Sequence, residues 1–390
     1  MAGPTKKVEP AAPIKVAIAC QGGGSQTAFT AGVLKALGEA QAGKQFEFVG
    51  ISGTSGGALC ATLIWYALRK HETPVWKRLI DFWRENTAQS RSEQFSNKFI
   101  IEWMRMVGAG MMPSFQTSPS SPFVQAMSRF QTPGQRPEFS DFPTLLRRHI
   151  DFEEIAAWGP QSEGPVLIIG AASVTSGRLR KFNSSKEVIR MEHLLASAAV
   201  PNLFEAVNVD GDALWDGLFS DNPPIDDLLR KGVVGEHNVP QELWVIKINP
   251  TARATAPTKP NEITDRRNQL EGNVSLFQNL KWVEIINDMI LADAFRPEFL
   301  KEFDIPHPIR IPTGFAGEAD KPYHIPWIEM TDEMQSKLDY LGKLDRSPEN
   351  LELLLANGEA CGKAFLEERA RRVAAADEIP VPELPARRKP

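Results

Sequence analysis

Residues 46–68, FEFVGISGTSGGALCATLIWYAL, decide the fold class. Phe46–Ile51 is a short apolar run of the kind that forms a buried parallel strand, and Ala58–Leu68 is an apolar run of helical length. Between them lies Ser52-Gly53-Thr54-Ser55-Gly56-Gly57, too rich in glycine to continue either element. The same order recurs upstream. Ile14–Cys20 (IKVAIAC) leads into Gln21 and the triplet Gly22, Gly23 and Gly24, and apolar residues then recur at helical spacing from Thr27 to about Leu37. Two strand–turn–helix units in succession predict a parallel sheet with helices packed on it.

The rest of the chain extends that pattern. Val166–Ser173 (VLIIGAAS) and Leu243–Asn249 (LWVIKIN) read as further buried strands, and Arg178–Phe182 as a strand with alternating faces. Val207–Val209 and Ala213–Trp215 form a hairpin around Asp210-Gly211. Residues 74–158 are mostly helical with proline-rich breaks, Met191–Ala199 is a helix stopped by Pro201, and a long helix spans Glu262 to about Ala292. Ser347-Pro348 caps a last helix that runs to about Arg372. No internal repeat is visible. One α/β domain over 14–375 is expected, with a motif-bearing part at 14–249 and a helical extension at 262–375. The proline-rich stretches 1–13 and 376–390 are expected to be mobile tails.

Composition narrows the function classes. A net charge of −5 and a pI near 5.8 carry no electrostatic footprint for nucleic acid. The three cysteines, Cys20, Cys60 and Cys361, are odd in number and lack metal-ligand spacing. Cys20 and Cys60 sit in apolar runs and read as core residues, and the unpaired usage fits a reducing compartment. The stretch Met1–Pro13 lacks the apolar run of a secretory signal, so no leader is expected, and no apolar run of membrane-spanning length is seen. The expected location is the cytoplasm, with peripheral membrane contact through local patches. No metal and no cofactor is expected.

Gly53-Thr54-Ser55-Gly56-Gly57 contains G-x-S-x-G. That pattern holds a nucleophilic serine on a sharp turn when a strand precedes it and a helix follows, and both are expected here. The triplet Gly22-Gly23-Gly24 with Gln26 is the candidate oxyanion hole, since backbone N–H groups at a helix start stabilise the charge of an acyl-transfer intermediate. A phosphate cradle fits less well, because G-K-[ST] is absent and the last position of G-x-G-x-x-G is Thr27. For the base, Asp216 ends the expected strand Ala213–Trp215 and precedes Gly217, and a carboxylate can itself take the serine proton if it is within reach. A Ser-Asp-His arrangement through His307 or His324 is the competing reading.

In order along the chain, Gly22-Gly23-Gly24, Gly53-Thr54-Ser55-Gly56-Gly57, Ala196-Ser197-Ala198-Ala199-Val200-Pro201, Trp215-Asp216-Gly217-Leu218 and Asn222-Pro223-Pro224 resemble the motifs of the patatin-like phospholipases. The resemblance covers about Ile14 to Asn249. It implies a three-layer α/β/α fold with a mainly parallel central sheet. It also implies a Ser55–Asp216 dyad without histidine, Gly53, Gly57 and Gly217 as motif residues, and hydrolysis of lipid acyl esters. Two places depart from the family pattern. Where the family carries Arg or Lys followed by Gly, this chain has Gln26 and Thr27, and the third place of the Asp turn is Leu218. An acyltransferase using the same dyad, and a catalytically silent lipid- or partner-binding protein, are the alternatives.

Phe95, Phe99, Trp103 and Val107 recur at i, i+4 in the segment 95–112. This stripe reads first as a core helix, and alternatively as a lipid-facing lid flanked by the Ser- and Pro-rich segment 113–122.

Overall fold

A computed structural model of the chain describes residues 13–43, 45–112, 134–161, 163–201, 203–302 and 325–377. The expected mixed α/β architecture with a mostly parallel central sheet is present. Its strands are β1 (Ile14–Cys20), β2 (Phe46–Thr54), β3 (Val166–Ser173), β4 (Leu179–Asn183), β5 (Val207–Val209), β6 (Asp212–Asp216), β7 (Glu242–Lys247) and β8 (Trp327–Glu329). The pairs β3–β2, β2–β1, β1–β7 and β7–β8 are parallel. The pairs β3–β4, β3–β6 and β5–β6 are antiparallel.

The principal helices are α1 (Ala28–Ala42), α2 (Gly56–Arg69), α3 (Lys77–Glu85), α4 (Arg91–Gly108), α5 (Met191–Ser197), α6 (Pro260–Leu291) and α7 (Pro348–Asp377). Side-chain alternation along β1 sorts them into two layers. Val16, Ile18 and Cys20 join a core with residues of α1, α2, α3 and α7. Ala17 and Ala19 face the opposite core, built with Leu276, Leu280 and Val283 of α6. Helices on both faces are what strands apolar on both sides require.

Three differences from the sequence reading have physical causes. First, β2 continues past Ile51, because Ser52, Gly53 and Thr54 keep pairing with Ile168, Ile169 and Gly170 of β3. Only Ser55 is left between strand and helix. Second, β8 has three residues, too few to show a period-2 pattern.

Third, α4 is not a core helix. Its buried residues are the polar Glu93 and Asn97, while Phe95 is 66%, Phe99 39% and Ile100 51% exposed. The polar residues anchor it. Ser90 and Glu93 form a reciprocal capping box. Glu93 also binds Arg136 at 2.9 Å, and Asn97 donates to Asp345 at 2.9 Å. The aromatic residues stack on one another, Phe95 on Phe99 and Phe99 on Trp103. The segment 113–122 lies outside the described residues.

Candidate active site

Strand register brings the two candidate catalytic residues together. β3 pairs with β4 along one edge. Its other edge is shared by two strands in turn. β2 pairs up to Thr54 opposite Gly170, and β6 begins its pairing with Asp216 opposite Ala171. The ends of β2 and β6 therefore meet across consecutive residues of β3, and Ser55 emerges beside Asp216. Gly217 sits in the same join, where a Cβ would lie 2.5 Å from the Gly170 carbonyl oxygen and 2.8 Å from Thr54 Cγ2. Glycine is needed there for packing.

Ser55 occupies a strained turn, with φ 56° and ψ −130°, a conformation rarely adopted by a residue with a side chain and characteristic of functional turns. Its N–H donates to Ser197 Oγ at 3.0 Å, and that hydroxyl donates to the Gly170 carbonyl at 2.7 Å. α5 thus pins the turn to β3. Ser55 also heads α2, so the partial positive charge of the helix N-terminus lies at its backbone. The glycines around it let backbone approach backbone, since a Cβ on Gly57 would run into the Cys20 carbonyl oxygen.

Asp216 is 1% exposed. Its Oδ1 accepts from Leu218 N–H at 2.8 Å. Only backbone is used there, so leucine at that position leaves the contact intact. Oδ2 is buried and has no complete hydrogen bond among the described residues. Burial drives the carboxyl up to about 6, against the Ser55 hydroxyl, the Leu218 N–H and the charge of Lys343, which hold it down. A carboxylate with that value is anionic at neutral pH and still basic enough to take a proton.

The glycine loop lies against the serine. A Cβ on Gly22 would come within 2.9 Å of Ser55 Cβ. Two of the four expected donor groups are engaged within the fold. Gly22 N–H donates to Asn222 Oδ1 at 2.6 Å, and Gln26 N–H donates to the Gly23 carbonyl at 3.1 Å. The N–H groups of Gly23 and Gly24 meet no acceptor among the described residues. Gly24 has φ +55°, the left-handed conformation that glycine adopts without strain.

Several residues that shape the site carried little or no sequence signal. Ser197 and Asn222 were visible only as parts of motifs. Gln21 was not singled out at all. Its side chain accepts from Ile248 and Asn249 N–H and donates to the Gly272 carbonyl and Asn273, so it ties β1, β7 and α6 together beneath the loop. Asn222 Nδ2 reaches the same Gly272 carbonyl at 3.3 Å. Of the histidines, His307 and His324 lie outside the described residues. His193 is buried and stacked on Phe182 at 3.9 Å, and burial with the nearby charges of Arg190 and Arg180 pushes it down to about 3.

Among the described residues no helix is long and apolar enough to cross a membrane. No curated protein sequence matches the chain. Among solved structures it is similar to VipD from Legionella pneumophila, with 14% identity over 92% of this chain and 67% of that one and a TM-score of 0.39. It is also similar to the type III effector protein ExoU, with 13% identity over 92% of this chain and 54% of that one and a TM-score of 0.32. Full-length ExoU in complex with SpcU, from Pseudomonas aeruginosa, matches with 18% identity over 93% of this chain and 77% of that one, at a TM-score of 0.24. The chain thus spans about half the length of one of these ExoU chains. The family described as patatin-like phospholipase matches residues 18–229. That match takes in the glycine loop, the serine turn, Asp216 and the β2–β6 junction, and covers more than half of the chain, which therefore belongs to the patatin-like phospholipase family.

Proposed function

We propose that the protein cleaves carboxylic esters of phospholipids or related lipids through Ser55 and Asp216, with an acyl-serine intermediate. Asp216 Oδ2 takes the hydroxyl proton as Ser55 Oγ attacks the ester carbonyl. The negative charge that forms on the carbonyl oxygen falls to the free N–H groups of Gly23 and Gly24, while Gly22 and Gln26 hold the loop in shape. The ester C–O bond breaks, and the leaving alcohol receives the proton from Asp216. Water then attacks the acyl group and gives its proton to Asp216. Fatty acid leaves, and the proton returns to Ser55 Oγ.

The observation that carries this reading is the pairing of a strained serine with a buried carboxylate whose Oδ2 has no complete hydrogen bond among the described residues. Preorganised donors and a base at hand are the two requirements of acyl transfer. The exposed Phe95, Phe99 and Ile100 of α4 supply a face for peripheral contact with the lipid surface that holds the substrate. Fatty-acid release from phospholipid vesicles tests the proposal. Wild type is expected to release fatty acid, and Ser55→Ala to fall by at least about 10³-fold. Equal release by the two proteins would remove Ser55 from the chemistry.

A further inference from the structure

We infer that Thr27 is a positioning residue of the acyl-transfer site, its hydroxyl keying the glycine loop to the serine turn so that the loop's free N–H groups keep their place relative to Ser55. This rests on the Ser55–Asp216 reading above and deepens it.

A run of three glycines has no side chains with which to hold itself, and each glycine turns freely about both backbone dihedrals. Its shape must come from neighbours that grip its peptide groups. Gly22 is held through its N–H by Asn222 Oδ1 at 2.6 Å. Gly24 is held on both sides of its Cα. The Gly23 carbonyl shares a rigid peptide unit with the Gly24 N–H, and it accepts from Gln26 N–H at 3.1 Å. The Gly24 carbonyl, in the next unit, accepts from Thr27 Oγ1 at 2.5 Å. One backbone group and one side chain therefore fix Gly24, and the side chain is that of Thr27.

Thr27 also meets the turn that carries the nucleophile. It is fully buried. Gly56 follows Ser55, and a Cβ there would run into Thr27 Oγ1 and stand 2.7 Å from the Gly24 carbonyl oxygen. One turn into α2, Cys60 Sγ donates to the Thr27 carbonyl at 3.4 Å. Thr27 is thus packed against both the loop that supplies the donors and the helix that Ser55 heads. A threonine hydroxyl on the carbonyl three residues back is an ordinary local bond, but this carbonyl belongs to the loop that meets the oxyanion. The Gln26 side chain leads the other way, its Nε2 donating to the Asp339 carbonyl at 2.8 Å. Of the two departures Gln26 and Thr27, it is Thr27, where the family carries glycine, whose side chain bears on the serine turn.

The test is steady-state kinetics on a soluble short-chain ester, with folding followed by circular dichroism. Acylation and deacylation both pass through an oxyanion that the bound ester lacks, so a misplaced donor lowers kcat and leaves KM in place. Thr27→Val keeps the shape of the side chain and removes the hydroxyl. It is expected to lower kcat by about tenfold or more with KM within about twofold of wild type. Thr27→Ser keeps the hydroxyl and is expected to stay within about threefold of the wild-type kcat. Thr27→Ala is expected to behave like Thr27→Val and serves if that variant does not fold. A folded Thr27→Val or Thr27→Ala with the wild-type kcat, whatever its KM, overturns this inference alone. So does a Thr27→Ser that loses as much kcat as Thr27→Val. A wild type no faster than Ser55→Ala overturns the dyad reading, and this inference with it.

Discussion

Asp216 sets activity against stability. Its carboxyl is raised from 3.8 to about 6 by burial. A raised carboxyl favours the neutral form in the fold. Its contribution to stability is therefore fully present below about pH 4 and is lost as pH rises through about 6. Asp216→Asn cannot ionise, so it is expected to be more stable than wild type above pH 6, by on the order of 3 kcal/mol at most. The difference should vanish near pH 4. Urea denaturation at pH 8 and at pH 4 measures both limits, and equal stability at pH 8 would mean that the carboxylate is not desolvated. At this scale the sequence was most informative. Ser55 and Asp216 stand out because glycine chemistry marks the turns that carry them. The hydrogen bonds that hold the serine turn and the glycine loop were not readable, since Ser197 meets Ser55 across 142 positions and Asn222 meets Gly22 across 200.

Helix α4 shows what periodicity leaves open. The spacing of Phe95, Phe99 and Trp103 announces an apolar stripe, but a stripe says nothing about which way it points. What turned it outward is the pairing of its polar residues. Glu93 is held down to about 2 by Arg136 and by the N–H groups of Ser90 and Gln89, against its burial. Converting Phe95 and Phe99 together to Glu is expected to weaken sedimentation with phospholipid vesicles by about tenfold or more, because apolar insertion is replaced by charge. Hydrolysis of a soluble short-chain ester should stay within about twofold of wild type. Unchanged vesicle binding would show that another face meets the lipid. By contrast, the strand–turn–helix units around β1 and β2 were legible as units, because buried parallel strands are continuous apolar runs. The boundary at Thr54 was missed because Ser52, Gly53 and Thr54 look like turn residues until β3 pairs with them.

On the scale of the whole molecule, the part of the chain beyond Asn249 is built into the hydrolase core. α6 carries Gly272 beneath the glycine loop. β8 extends the sheet beside β7, and α7 crosses α1 where Gly32 and Gly358 leave no room for a Cβ against the facing backbone. Arg369 of α7 binds Glu242 of β7 with Nε at 3.0 Å, both of them buried. None of these joins has a local signature, because each depends on residues far apart in the chain. The motifs therefore announced the core from 14 to 249, and the contribution of the extension emerged only from packing. The central claim remains chemical. Labelling by a fluorophosphonate probe, with wild type compared against Ser55→Ala and Asp216→Asn, tests it most directly. A Ser55–Asp216 dyad entails rapid labelling of wild type, none of Ser55→Ala, and labelling of folded Asp216→Asn slowed by at least about 10²-fold. Labelling of Asp216→Asn at the wild-type rate would contradict it.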